Sequence, residues 1–384
     1  MDITIHPGSL TGTLTAIPSK SQAHRFLICA AFADNTTELL CPETNRDIEA
    51  TADCLRSLGA TIRRTPDGYH ITPVKQIPES AILPCGESGS TLRFMLPIAG
   101  ALGVDATFVM EGRLPQRPLS PLWEEMERMG CALSRPTANT IRCQGKLSAG
   151  SYSIDGSVSS QFITGLMFAT ALMDQDSQIT VTGKLESKPY VDMTKQALDL
   201  FHAPNFHSPG VVQVEGDWSN AAFFLAAKSL GSQVQILGLN PDSAQGDRAV
   251  AEILSRLNSE NCSINASDIP DLVPVLAIAA GAQQGATFTS IQRLRLKESD
   301  RVASTVAMVN ALGGRAEATE DTLTVYGTGF RGGTVDAVND HRIAMAAAIA
   351  STVSLESVTI LGAECVHKSY PAFWDEFKRL GGKI

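Results

Sequence analysis

Six short polar clusters stand directly before Ala-rich apolar stretches, and their residue types suit the holding of anions. They are Ser19-Lys20-Ser21-Gln22-Ala23-His24-Arg25 before Phe26, Gly89-Ser90-Thr91-Leu92-Arg93 before Phe94, and Ser157-Val158-Ser159-Ser160-Gln161 before Phe162. The other three are Asp217-Trp218-Ser219-Asn220 before Ala221, Asp268-Ile269-Pro270-Asp271 before Leu272, and Asn339-Asp340-His341-Arg342 before Ile343. Helices as apolar as those after each cluster must be buried on nearly every side. Their polar starts would then present free backbone N–H groups and the positive end of the helix dipole at a fixed depth, a ready anion site. Capping alone explains Ser, Asp and Asn at a helix start. It does not explain Lys20, Arg25, Arg93 and Arg342, whose charge opposes the dipole unless an anion sits there.

The elements that must carry these clusters repeat. Leu55-Arg56-Ser57-Leu58-Gly59-Ala60, Met126-Glu127-Arg128-Met129-Gly130-Cys131, Val309-Asn310-Ala311-Leu312-Gly313-Gly314 and Phe377-Lys378-Arg379-Leu380-Gly381-Gly382 share one ending, a helix stopped by a left-handed glycine. After the first three come hairpin-like stretches, Thr61 to Ile71, Ala132 to Cys143 and Arg315 to Tyr326. Degenerate copies of the ending occur at Leu198 to His202 and Ile253 to Asn258, and the segments after them, Ala203 to Val214 and Ser259 to Asp268, are too brief for a hairpin. The chain thus reads as α/β, six βαβαββ-like copies with the third and fourth trimmed, three copies to a domain. The expected boundaries give one domain of residues 1–14 plus 216–384 and another of 15–215. The strand Asp2 to Thr13 would join the second half, and the helix starts would converge on a cleft between the domains.

Composition bounds the partners. With 384 residues, 31 Lys and Arg against 40 Asp and Glu, a net charge of -9, 43% hydrophobic and 18% charged residues, the chain reads as an ordinary globular protein of two domains. The acidic sum argues against nucleic acid while allowing a local basic pocket. The N-terminus lacks a basic region of the kind that starts a signal peptide, and no apolar run reaches membrane-spanning length, so a cytoplasmic protein without a membrane partner is expected. Eight cysteines without a C-x-x-C pair read as buried reduced thiols rather than a metal site. No nucleotide-binding G-x-x-x-x-G-K-[ST] loop appears, which disfavours a kinase.

Taken in order, several stretches resemble the 3-phosphoshikimate 1-carboxyvinyltransferases, or EPSP synthases, of the enolpyruvyl transferase superfamily. They are Pro18 to Arg25, Gly86-Glu87-Ser88-Gly89-Ser90-Thr91-Leu92-Arg93, Gln116-Arg117-Pro118, Asp155 to Phe162, Ser187-Lys188-Pro189-Tyr190, Val214 to Asp217, Lys297-Glu298-Ser299-Asp300-Arg301, Asn339 to Arg342, and Lys368. The resemblance runs along essentially the whole chain. It implies a two-domain inside-out α/β barrel and transfer of the enolpyruvyl group of phosphoenolpyruvate (PEP) to the 5-hydroxyl of shikimate 3-phosphate, with release of phosphate, on the route to chorismate. No metal or organic cofactor is implied, and a monomer is the default.

The resemblance also implies roles. PEP would be held by Lys20, Gly89, Arg93, Arg117, Gln161, Arg301, Arg342 and Lys368. Shikimate 3-phosphate would be held by Lys20, Ser21, Arg25, Ser159, Ser160, Gln161, Ser187, Asp271 and Lys297, with Tyr190 packing on its ring. Asp271 would take the hydroxyl proton, Glu298 would handle the methylene proton, and Lys20 would assist. For Glu298 to donate, burial or a nearby carboxylate such as Asp300 must offset its cationic neighbours. Asp340 and His341 would orient neighbours, or His341 would be a satisfied core histidine. Two departures stand out. Glu87-Ser88 replaces the Asn-Ala or Asn-Ser of many relatives, and Arg293 replaces an asparagine that touches shikimate 3-phosphate in some. The competing readings are the sister transferase acting on UDP-N-acetylglucosamine, whose loop cysteine is missing from Arg113-Leu114-Pro115-Gln116, and a relative that binds phosphorylated acids without turnover.

Overall fold

The computed structural model describes residues 1–259 and 262–384. Its chain divides into two units, Pro18–Val214 and Met1–Ile17 with Glu215–Ile384, and each buries its own hydrophobic core.

Two strands come first, β1 (Ile3–Ile5) and β2 (Thr11–Thr15). The unit Pro18–Val214 then runs α1 (Lys20–Ala31), β3 (Thr37–Leu40), α2 (Arg46–Ser57), β4 (Thr61–Thr65), β5 (Gly68–Thr72), β6 (Ser80–Gly86), α3 (Gly89–Leu102), β7 (Asp105–Met110), α4 (Leu122–Arg128), β8 (Cys131–Thr137), β9 (Thr140–Gly145), β10 (Ser151–Asp155), α5 (Ser160–Ala171), β11 (Gln178–Thr182), α6 (Lys188–Leu200) and β12 (Val211–Gln213). The remainder runs α7 (Trp218–Ser229), β13 (Gln233–Leu237), α8 (Val250–Arg256), β14 (Ser263–Asn265), α9 (Val273–Gly281), β15 (Gly285–Thr289), α10 (Arg301–Ala311), β16 (Arg315–Ala318), β17 (Thr322–Tyr326), β18 (Gly333–Asp336), α11 (His341–Ala350), β19 (Val358–Leu361) and α12 (Phe373–Arg379).

Among the described residues every sheet contains one parallel pair: β12 with β3, β6 with β7, β10 with β11, β2 with β13, β14 with β15, and β18 with β19. Parallel strands need a crossover. For β6–β7, β10–β11, β14–β15 and β18–β19 that crossover is a buried helix, respectively α3, α5, α9 and α11. The other two pairs arise by exchange: β2, which leads into α1, pairs with β13, while β12, which leads into α7, pairs with β3. Strand β1 lies antiparallel to β19.

The hairpins β4–β5, β8–β9 and β16–β17 add antiparallel to β3, β7 and β15, making four-stranded sheets. The sheets β10–β11 and β2–β13 stay two-stranded, so the copies ending at His202 and Asn258 lack the hairpin. Part of the short stretch after Asn258, residues 260–261, lies outside the described residues. Gly59, Gly130, Gly313 and Gly381 have φ of 104°, 112°, 80° and 97°, and His202 takes the same left-handed stop with φ 52°.

The crossover helices are apolar because they have no solvent face. In α9 all nine residues are buried, and in α11 all ten. Helices α3 and α5 pack at backbone contact, since a Cβ on Gly165 would lie 2.2 Å from the Arg93 carbonyl oxygen. That approach sets the start of α5 beside the start of α3. All eight cysteines are buried and free. Among the described residues no helix is long and apolar enough to cross a membrane.

Candidate active site

In the unit Pro18–Val214 the three central helices are capped alike. Ser19 Oγ accepts from Gln22 N (3.4 Å), Ser88 Oγ from Thr91 N (3.3 Å) and Ser159 Oγ from Gln161 N (3.3 Å). Ser159 therefore serves as the cap of α5, and the buried Ser160 is its first residue. At the start of α3 two cations converge. A Cβ at Gly89 would stand 2.7 Å from Arg117 Nη1 and 2.8 Å from Arg93 Nη1, so only glycine admits both guanidinium groups at this helix end. Arg93, 4% exposed, donates to Gln161 Oε1 (2.7 Å) and to the Pro118 carbonyl (3.2 Å), and lies over the Phe162 ring at 5.5 Å. Gln161 in turn donates to Ser90 Oγ (2.9 Å). Gly89, Arg93, Arg117 and Gln161 are thus one cluster. Two like charges at a positive helix end repel each other and the dipole, an arrangement that an anion relieves.

A second cluster forms around Arg25, 2% exposed. Its Nε donates to Thr194 Oγ1 (2.9 Å), Nη1 to the Ser21 carbonyl (2.5 Å) and Nη2 to the Tyr190 carbonyl (2.8 Å), tying α1 to α6. No carboxylate pairs with it among the described residues, and burial pushes its pKa down to about 10. Ser187, 2% exposed, precedes α6 in the left-handed conformation with φ 55°. Lys20 pairs with Asp47 at 2.9 Å. Beneath these starts a buried chain runs from His24 Nδ1 to Thr51 Oγ1 (2.7 Å), then Thr91 Oγ1 (2.7 Å) and Ser88 Oγ (2.8 Å). Burial, helped by Lys20 and Arg25, holds His24 well below its usual pKa, so it packs as a neutral ring.

In the other unit the hub is Arg301, 1% exposed. It donates to Asp340 (3.0 and 3.2 Å), to Asp271 Oδ1 (2.7 Å) and to Glu298 Oε2 (2.6 Å). Four of the five donors that a guanidinium carries are spent on three carboxylates. Asp340, fully buried, caps α11 through Arg342 N (3.0 Å) and accepts from Ser299 Oγ (2.9 Å). Burial pushes Asp340 up, and the charge and hydrogen bond of Arg301 together with His341 outweigh it, leaving the carboxyl below its ordinary range. The carboxylates that share Arg301 with Glu298 are therefore Asp340 and Asp271. Asp300 caps α10 by accepting from Ala303 N (3.0 Å) and also faces Arg295 Nη1 (3.5 Å).

Asp271 also faces Lys297 Nζ (3.6 Å) and Arg342 Nη2 (3.6 Å). Burial lowers Lys297 to about 8; Asp271 works against this while Arg301 and Arg293 add to it, which places the departure at Arg293 beside Lys297. Arg342, 3% exposed, donates from Nη1 to the Ser219 carbonyl (2.9 Å), and its Nε is buried with no hydrogen-bond partner among the described residues. Lys368, 9% exposed, donates to the Asn339 carbonyl (3.2 Å). That carbonyl sits in a turn where Val338 and Asn339 have φ of 45° and 58°; for the β-branched Val338 this is strained backbone. His341 is buried next to Asp340.

The sequence-expected residues thus fall into two sets, Lys20 to Tyr190 in one unit and Asp271 to Lys368 in the other. Asp247, between β13 and α8, is an addition. It is 3% exposed and pushed up to about 7 by burial and then by Asp271. Gln245-Gly246-Asp247 matches no capping or periodic pattern, and the neighbours that make it unusual, Ser219, Asp271 and Arg342, are distant in sequence. Glu87, the other departure, leans on the loop at Gly112.

A family model described as EPSP synthase (3-phosphoshikimate 1-carboxyvinyltransferase) matches residues 5–377. A 3-phosphoshikimate 1-carboxyvinyltransferase of Clostridium kluyveri is 37% identical over 416 residues, covering 100% of this chain and 98% of the relative. One from Clostridium botulinum is 38% identical over 421 residues, covering 99% and 97%. These alignments are longer than the 384-residue chain, so parts of the relatives have no counterpart here. Among solved structures, EPSP synthase from Acinetobacter baumannii matches with a TM-score of 0.78 at 24% identity, covering 99% of this chain and 98% of that one. The enolpyruvyl transferase NikO from Streptomyces tendae matches in fold, with a TM-score of 0.75 at 16% identity, covering 99% and 97%. From the residues matched and the identity over the full length, the chain belongs to the EPSP synthase (3-phosphoshikimate 1-carboxyvinyltransferase) family.

Proposed function

We propose that this protein transfers the enolpyruvyl group of PEP to the 5-hydroxyl of shikimate 3-phosphate. The observation that carries the reading is the convergence of Arg93 and Arg117 over Gly89 at the start of α3, a site fit for a compact dianion. The residues assigned to PEP are Lys20, Gly89, Arg93, Arg117, Gln161, Arg301, Arg342 and Lys368. Arg25 places Ser21 and Tyr190 by holding both carbonyls, and with Ser159, Ser160, Gln161, Ser187 and Lys297 serves shikimate 3-phosphate.

In the addition, the acceptor oxygen bonds to C2 of PEP as its proton leaves to Asp271, and Glu298 delivers a proton to the methylene carbon. In the elimination, Glu298 takes a proton back from the methyl group as the bond from C2 to the phosphate oxygen breaks. Lys20 assists at the hydroxyl or the departing phosphate. Arg301 holds both working carboxylates at fixed positions, which favours proton transfer without reorganisation.

The test is a phosphate-release assay with purified protein. Release is expected only with PEP and shikimate 3-phosphate together; none above background, or release with UDP-N-acetylglucosamine in place of shikimate 3-phosphate, overturns the reading. Glu298→Gln should lose turnover and keep shikimate 3-phosphate binding.

A further inference from the structure

In the three four-stranded sheets, the hairpin covers the far side of the parallel pair and leaves an outer strand bearing charge or proline. These residues are Arg63 and Arg64 in β4, Arg135 and Pro136 in β8, and Arg315 and Glu317 in β16. Such residues keep sheet edges from pairing with other chains. Where the hairpin is missing, that protection is missing with it. In the β10–β11 sheet the edge falls to β11, Gln178-Ile179-Thr180-Val181-Thr182, which has no charge, proline or glycine and four β-branched residues in five.

The orientation of this edge is set by its bonds on the other side. Gln178 N donates to the Gly150 carbonyl and Gly156 N to the Thr182 carbonyl, each at 2.9 Å, so the even-numbered residues turn their amides toward β10. Ile179 and Val181 therefore turn theirs outward. Their side chains are only half-buried, whereas Leu39, Phe108 and Phe288 on the corresponding hairpin-covered strands are 1%, 0% and 0% exposed.

We propose that β11 pairs with β11 of a second copy of this chain, antiparallel, about a two-fold axis through Thr180. An antiparallel strand is what covers the corresponding edge in the three sister sheets. The outward amides fix the register: Ile179 must oppose Val181 to exchange bonds, which sets Thr180 against Thr180 and Gln178 against Thr182. Just beyond, the same register brings the exposed Asp176 of each copy toward the exposed Lys184 of the other, a lysine that within its own chain pairs with Glu186 at 3.5 Å after a turn at Gly183. The contact is isologous and closes as a dimer. The other stripped edge, β13, offers less: Val234 is already 3% exposed, and no opposed charges flank the strand. A pair of five-residue strands buries less than the roughly 1,000 Å² of a stable interface, so the dimer is weak and forms only at high protein concentration.

Sedimentation velocity from about 5 to about 300 µM should show the mass rising from 40.8 kDa toward twice that value. Thr180→Lys, an exposed substitution that sets two ammonium groups face to face, should keep the protein monomeric throughout with its phosphate-release rate unchanged. Lys184→Asp should weaken the dimer about tenfold, and adding Asp176→Lys should restore it. A monomer at every concentration overturns the proposal, as does a dimer indifferent to Thr180→Lys or a charge swap that fails to rescue.

Discussion

Replacing Arg301 by methionine tests the carboxylate hub directly. The guanidinium is 1% exposed, and its removal leaves Asp340, fully buried, with Ser299 Oγ and Arg342 N as its hydrogen-bond donors among the described residues. Stranding a buried charge in this way costs about 3–5 kcal/mol. The pH dependence separates this cause from mere loss of packing. In the wild type Asp340 lies below its ordinary pKa, so its stabilisation is present above the unfolded carboxylate pKa and is lost as pH falls through the folded value. Without Arg301, burial, joined by Glu298, outweighs His341 and the folded pKa rises above the unfolded one, so the deficit should be greatest near pH 8 and shrink toward pH 5. Urea unfolding in a Trp123→Phe background would report on the right unit, since Trp218 and Trp374 are both buried there. The double variant Arg301→Met with Asp340→Asn should recover much of the loss, because neither charge remains. A deficit below about 1 kcal/mol near pH 8, or one that does not change with pH, would refute the hub as described.

The geometry leads to three further outcomes. Gly89→Ala places a methyl 2.7 and 2.8 Å from two guanidinium groups whose ordinary contact begins near 3.4 Å. The KM for PEP should therefore rise about tenfold to a hundredfold with little change in Tm or in shikimate 3-phosphate affinity, and an unchanged KM would separate this cluster from PEP. Lys297, lowered to about 8 chiefly by burial, should regain its proton when a phosphate arrives. Calorimetry near pH 8.5 in buffers of different ionisation enthalpy should show proton uptake on binding shikimate 3-phosphate, and Lys297→Gln should abolish it. Asp247, raised to about 7, contributes stability that is full below the unfolded carboxylate pKa and lost as pH rises through 7. Asp247→Asn should accordingly melt higher than wild type near pH 8.5 and show no advantage near pH 4; equal melting at both would deny the cost of burying that charge.

The parts of this fold written in the sequence are those set by local chemistry. Glycine stops, the Pro66-Asp67-Gly68 turn and serine caps need only their immediate neighbours, and they reveal the repeats and the missing hairpins directly. The start of α9 is instructive in the opposite sense. Asp268 to Asp271 looks like another cap, yet the helix begins at Val273 with no side-chain cap, because Asp271 is drawn away by Arg301 and Lys297. Asp247 escapes notice for a related reason: its neighbours Ser219, Asp271 and Arg342 come from other elements, and no pattern around residue 247 records them. Residues whose chemistry depends on several distant chain segments are the ones a linear reading misplaces.

The exchange of β2 and β12 bears on how the chain is made. Synthesis proceeds from the N-terminus, so β1 and β2 emerge first, while their partners β19 and β13 are among the later elements. The unit Pro18–Val214 holds all its own strands and can close as soon as β12 leaves the ribosome. Through that interval the first seventeen residues must remain without their sheets, and the second unit can finish only when β19 arrives to receive β1. Arrested nascent chains that extend past β12 should therefore show the native Trp123 signal before those of Trp218 and Trp374 mature.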